Sequence, residues 1–274
     1  MNGTGFFSFL GTILKWFSPN VVLSRSATQF MVFSQIAFAI GAWVLWSQSS
    51  PIIPNPLEIA GAIKKLWFEE GLGHELFTSY GTNAKALFYS VVISLSFAYL
   101  TVTPFFQKVS MLLSKFRFLG LAGLTFIFTL VIGGGEDLKI ALLTFGMTVF
   151  FLTSMAEEVA RIPEEEFDHG RTLRWGEWRV VWEVVVLGKM DKAIEVMRQN
   201  AAIGWTMLTM VEGIVRSEGG IGGLLLTQNK HFHLAEVFAI QILILVVGML
   251  QDYGIGFSKK KICPWADLGL ERKS

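Results

Sequence analysis

The chain has 274 residues, 52% of them hydrophobic and 16% charged, where soluble domains carry about a quarter charged residues. Its uncharged runs approach or exceed the ~20 residues that a helix needs to cross bilayer hydrocarbon, and they lack the ~10-residue alternation of a membrane β-barrel. The net charge of +1 comes without a basic folded face, which excludes a nucleic-acid partner, and the single cysteine, Cys263, excludes an intramolecular disulfide or a cysteine-based metal cage.

These properties describe an all-α polytopic membrane protein. Residues 1–25 lack the basic start and small-residue cleavage site of a signal peptide. They read as an interfacial amphipathic helix with Phe6, Phe7, Leu10, Ile13, Leu14 and Phe17 on its apolar face. A transmembrane domain is expected over residues 26–258, with about six spans: Ala27–Trp46, Ala86–Phe106, Phe118–Ile132, Ile140–Met155, Ala201–Val215 and Leu234–Met249. Between the first two, Pro51 to Pro56 forms a constrained turn, and Pro56 suits the first turn of a short amphipathic helix from Leu57. Residues 259–274 form a tail that opens with Lys259, Lys260 and Lys261, a basic flank attracted to anionic lipid.

Orientation follows from the excess of Lys and Arg in cytoplasmic loops. With both termini cytoplasmic, 17 of the 23 basic residues fall inside and six outside; discounting the long central block leaves ten against six.

That central block, Ala156 to Asn200, holds nearly half of the 22 acidic residues and seven of the 23 basic ones. Pro163 opens a helix whose first turn, Glu164, Glu165 and Glu166, favours the positive end of the helix dipole. Gly170 and Gly176 bracket a break. A second helix, Glu177 to Leu187, carries Trp178, Val181, Trp182 and Val185 at helical spacing; Gly188 ends it, and Lys189 to Asn200 leads into the fifth span. On spacing alone, the block is either an amphipathic hairpin on the membrane surface or a docking surface, since Trp and Arg are enriched at interface hot spots.

At this block the chain resembles the permease subunits of ATP-binding-cassette importers, in the branch handling nitrate, sulfonates and taurine. Pro163-Glu164 matches the opening of the family's cytoplasmic loop between spans four and five, and Asp168-His169-Gly170 stands where a Glu-Ala-Ala core belongs. Arg171-Thr172-Leu173 follows, Arg174 occupies the loop's glycine position, Trp178 that of an aromatic, and Val184 to Leu187 the closing hydrophobic run without its proline. Ile53-Pro54-Asn55-Pro56 is similar to the family's Leu-Pro-Ser-Pro, and Ile132-Gly133-Gly134-Gly135 with Leu138-Lys139-Ile140 to its turn between spans three and four. Trp205 and Glu212, followed by Gly219-Gly220-Ile221-Gly222, resemble the fifth span's Trp, Glu and Gly-Leu-Gly. The family's prolines around Leu119 to Leu124 are absent.

The resemblance implies the type I importer permease fold in the bacterial inner membrane. It also implies a second permease subunit, most simply a homodimer, two cytoplasmic ATPase subunits and an extracytoplasmic solute-binding protein. Asp168, His169, Gly170, Arg171, Thr172, Leu173, Arg174, Trp175 and Gly176, with Trp178, would form the coupling helix that docks on the ATPase. ATP and Mg²⁺ would be bound by that partner; this chain contains no Gly-x-x-x-x-Gly-Lys-Ser/Thr loop, needs no cofactor and does no chemistry.

Glu212 is the one acid expected deep in a span, where an ionisable group faces a bundle interior or water. It is a candidate for solute contact or for anchoring the turn that follows. His231 and His233, two residues apart, have no carboxylate or cysteine at ligand spacing, so no metal site is expected. A membrane-embedded enzyme would need a nucleophile–base pair, and none is found. A secondary carrier would show paired half-repeats with broken helices, and none is evident. A non-transporting scaffold or a secondary carrier diverged from the family stays as the alternative.

Overall fold

The computed structural model describes residues 24–50, 52–216 and 219–266. The expected N-terminal interfacial helix, Pro51 of the outer turn and the tail beyond Ala266 lie outside the described residues. The chain divides into two compact units, one running through Glu58 and the other from Ile59 onward.

In the first unit the uncharged run forms one helix, α1 (Arg25–Ser49), opened by Ser24, whose hydroxyl accepts the Ala27 N–H at 3.3 Å. The Ser34 and Ser47 hydroxyls donate to the carbonyls of Met31 and Val44, each at 2.8 Å, so these polar groups are satisfied within the helix. The start of α2 (Pro56–Glu69) carries a capping box. The Asn55 side chain accepts the Leu57 N–H at 3.3 Å, and Glu58 reaches back to the Asn55 N–H at 3.1 Å. The helix expected after the proline turn is therefore present.

The second unit is built on α3 (Leu72–Leu100) and α6 (Glu136–Ala160). Along α3, Ala86, Ser90, Ser94 and Ala98 recur every four residues and all are fully buried. In lipid the hydrophobic drive between helices is lost, because the tails are as apolar as leucine; close backbone approach through small residues replaces it. The Ser94 hydroxyl crosses to the Thr148 carbonyl of α6 at 3.1 Å. On its other sides α6 packs against α4 (Pro104–Ser114), α5 (Leu121–Ile132) and α9 (Met190–Ile214). Two apolar clusters result. One joins Leu142 and Met147 of α6 to Trp205 and Leu208 of α9, and the other joins Phe151 and Met155 to Val185, Ala193 and Val196. The remaining helices of this unit are α7 (Glu164–Thr172), α8 (Glu177–Val180), α10 (Ile221–Lys230) and α11 (Leu234–Ile262). Side chains such as Phe88, Phe126, Leu130, Leu245 and Leu250 are exposed, as expected where lipid rather than water is the solvent.

Four of the described helices (α1, α3, α6 and α11) are long and apolar enough to cross a membrane. A fifth span is reached if α4, with the 3₁₀ turn Lys115–Phe118, and α5 count as one span bent by 111°. The sequence suggested six. The second span begins at Leu72 rather than Ala86, because an uncharged run is a stricter criterion than a helix, and the helix carries Glu75 and Lys85 on its outer turns. It stops before Pro104, which forces Thr103 into an extended conformation (φ −93°, ψ 138°). Helix α5 has 12 residues, about 18 Å at 1.5 Å per residue, too short to cross ~30 Å of hydrocarbon alone. The expected fifth span is the C-terminal half of α9, whose first half carries Asp191, Lys192, Glu195 and Arg198. Polar ties bind α9 to α11: the Trp205 indole donates to Gln251 at 2.7 Å, Arg198 forks onto Asp252, and Lys259 meets Glu195 at 2.9 Å.

Candidate functional site

The central block folds as a helix, a tight turn and a second helix. Pro163 sits at the N-cap in extended conformation, and Glu164, Glu165 and Glu166 occupy the first turn of α7. The helix runs through Gly170, which is buried against Val180, instead of breaking there. It ends in a Schellman turn. The Arg174 N–H donates to the Arg171 carbonyl at 2.9 Å and the Trp175 N–H to the Gly170 carbonyl at 3.3 Å. Arg174 takes the left-handed position, φ 58°, a conformation that costs an L side chain roughly 1–2 kcal/mol. The resemblance puts glycine at this position, and the backbone keeps the glycine conformation although the residue is arginine.

Arg171 organises the turn. Its Nε and Nη2 donate to the two carboxylate oxygens of Glu177 at 3.1 and 3.2 Å, and its Nη1 donates to Asp168 at 2.9 Å. Those bonds hold the Glu177 carboxyl below its ordinary range and raise the Arg171 guanidinium. The Thr172 hydroxyl donates to the His169 carbonyl at 2.6 Å, and the Arg179 guanidinium lies 5.2 Å from the Trp175 ring centre. Asp168, Arg171 and Glu177 thus pair within the turn, while Leu173 (51% exposed) and Trp178 (67%) face outward. All ten loop residues singled out in the sequence fall in this unit. Two that organise it, Glu177 and Arg179, were not singled out.

The second helix departs from its expected face. Trp178 and Trp182 are exposed, and Val180 and Val185 are the fully buried positions. Only Glu177–Val180 is α-helical; Val181–Leu187 winds as a π-helix, whose i→i+5 bonds align residues five apart. Of the expected stripe, Val181 and Val185 therefore face the core, whereas the two tryptophans do not.

Glu212 lies elsewhere, 1% exposed on α9. It accepts the Ser79 hydroxyl of α3 at 2.7 Å and the Gly222 N–H at 2.9 Å. Ser79 in turn accepts the Ile221 N–H at 2.8 Å, Glu75 accepts the Gly220 N–H, and the buried Lys139 of α6 donates to the Gly219 carbonyl at 2.6 Å. The turn leading into α10 is held from three helices. Gly219 and Gly220 have φ of 66° and 108°, and a Cβ at Gly220 would collide with the Glu212 carboxyl. Glu75, Ser79 and Lys139 were not singled out as site residues. A lysine at the head of an apolar run, as Lys139 is, was the available signal, since an ionisable group there seeks an internal partner.

Between α3, α9 and α11 lies a cavity of about 660 Å³, lined by Tyr80, Leu87, Val91, Gln251 and Ile255 among others, with no charged side chain in its wall. At the turn after α10, His233 Nδ1 bonds Gln228 at 2.8 Å, and its ring lies 5.8 Å from that of His231. Among the described residues no cluster of three His, Cys, Asp or Glu is placed to hold a metal ion.

No family model matches the chain. No curated protein matches it significantly. Among solved structures, the chain is similar to one from the inward-facing conformations of the MetNI methionine ABC transporter, with a TM-score of 0.54 and 18% identity over 73% of this chain and 96% of that chain. The fold is therefore that of an all-α polytopic membrane protein with the architecture seen in an ABC transporter.

Proposed function

We propose that this chain is the membrane-spanning permease subunit of an ATP-driven importer, with the Ala156–Asn200 block as its coupling loop. The observation that carries the reading is the Asp168–Trp178 unit. It is a preformed helix and turn in which Asp168, Arg171 and Glu177 pair with one another and Leu173 and Trp178 stay exposed, in a chain whose fold is similar to that of an ABC transporter component. A cytoplasmic ATPase dimer would receive that unit and supply ATP and Mg²⁺. A second copy of the chain would complete the path, and an extracytoplasmic binding protein would deliver the solute. Both termini and the loop lie on the cytoplasmic side of the inner membrane. The solute is a small anion of the nitrate or sulfonate type, a reading supported by the order of the loop, turn and Gly-Gly-Ile-Gly motifs.

The test is co-purification of the full-length chain with an ATPase, and assembly of the variant Arg171→Glu with Trp178→Ala. Loss of the complex in that variant is expected, with the fold retained. A double variant that assembles normally refutes the contact assignment, and a chain that recovers no ATPase favours a non-transporting scaffold.

A further inference from the structure

The π-helix at Val181–Leu187 is the one π-wound stretch among the described residues, and it lies between the docking turn and α9. π-turns are mostly single turns inside α-helices and concentrate at functional sites; this one is seven residues long. Three features are specific to that winding. Val180 and Val185, five apart, are both fully buried, whereas α winding aligns residues three or four apart. The Gly188 N–H donates to the Glu183 carbonyl at 3.0 Å, five residues back. A Cβ at Gly188 would collide with the carbonyl oxygen of Val184. In an α-helix every residue carries its Cβ past the preceding turn without such a collision, and alanine is the best former. Position 188, which caps the π stretch, thus has no room for a side chain in this winding, whereas an α winding would accept one.

The sequence makes the two windings close in energy. Val184, Val185 and Val186 are three identical side chains in a row. Rewinding from π to α moves the residue beneath Val180 from 185 to 184, and a valine meets the core either way. β-branched residues also weaken the α preference of the stretch.

We propose that Val181–Leu187 with Gly188 is a register joint, which rewinds from π to α when the docking turn is displaced and so rotates Asp168–Trp178 against α9 without unfolding either. The source of the displacement rests on the function proposed above; the joint itself does not. Gly188 is its positioning residue.

The test reads which valine is protected. In a Cys263→Ser background, the full chain carries Val184→Cys or Val185→Cys and is labelled with a maleimide. The π winding makes Val185→Cys the slower to react. Adding Gly188→Ala is expected to reverse the order, because alanine fits only the α winding, and deleting Val186 is expected to reverse it independently. An unchanged order in folded protein carrying either change overturns the joint. In the assembled ATPase complex, a non-hydrolysable ATP analogue is expected to shift the Val184/Val185 labelling ratio in the same direction, and an identical ratio with and without nucleotide overturns its role as a moving part. A chain that recovers no ATPase refutes the function proposed above, and the Gly188→Ala comparison then decides the joint alone.

Discussion

The turn at Gly219–Gly222 and the turn at Leu173–Gly176 use the same chemistry in opposite surroundings. Each has carboxylates, a cation and a helix end. In the first, Glu75, Ser79, Lys139 and Glu212 come from three helices, all but the half-buried Glu75 are held out of water, and every bond depends on residues more than 50 positions away or on a glycine with no room for a side chain. In the second, Asp168, Arg171 and Glu177 lie within nine residues of one another and are half-exposed or more. Buried groups that lose a partner pay the desolvation cost in full, whereas exposed pairs exchange with water. The first turn is thus built to stay fixed. The second is a self-contained unit that can be presented to another molecule.

The largest effect that would break this contrast is at the buried turn. Glu212→Ala leaves the Ser79 hydroxyl and the Gly222 amide without their acceptor, and each buried polar group left unpaired costs about 1–3 kcal/mol. A large fall in the thermal midpoint of the detergent-solubilised protein is expected, and an unshifted midpoint removes the fixed-anchor reading. A smaller effect of opposite sign is expected at the exposed turn: Arg174→Gly relieves the left-handed backbone and stabilises by about 1 kcal/mol, seen as a raised midpoint, while a lowered one shows that the guanidinium makes a bond that outweighs the strain. The smallest concerns pH. Because Arg171 depresses the Glu177 carboxyl, the pair's contribution is complete above the ordinary carboxylate range and is lost as pH falls through the lower, folded value. Protease protection of the turn should fall over that acid window in the wild type, and Glu177→Gln should abolish the dependence.

Much of the exposed turn was legible because its determinants are local. Pro163 followed by three glutamates marks a helix start wherever it lies, and Pro56 does the same for α2. The Gly170 break was misplaced because that glycine serves close packing on Val180, and the tryptophan stripe because nothing in local spacing announces a π-helix. The buried turn was legible only in part. Glu212 stood out as a lone acid in an apolar run, but Ser79 lies 133 residues away, and a pairing of that range leaves no periodic trace. Some span ends failed for a related reason: α3 starts well before its uncharged segment, and α11, which begins at the expected Leu234, runs well past its own.

The held turn also uses up a helix end. A helix N-terminus carries roughly half a positive charge and free amides, which makes it a natural seat for an anion. At the start of α10 the amides of Gly220, Ile221 and Gly222 are already bonded to Glu75, Ser79 and Glu212. An anion arriving from outside finds none of these three amides free. The positive end of α10 is therefore already occupied by the chain's own carboxylates and hydroxyl, and the start of this helix offers no seat to an external anion.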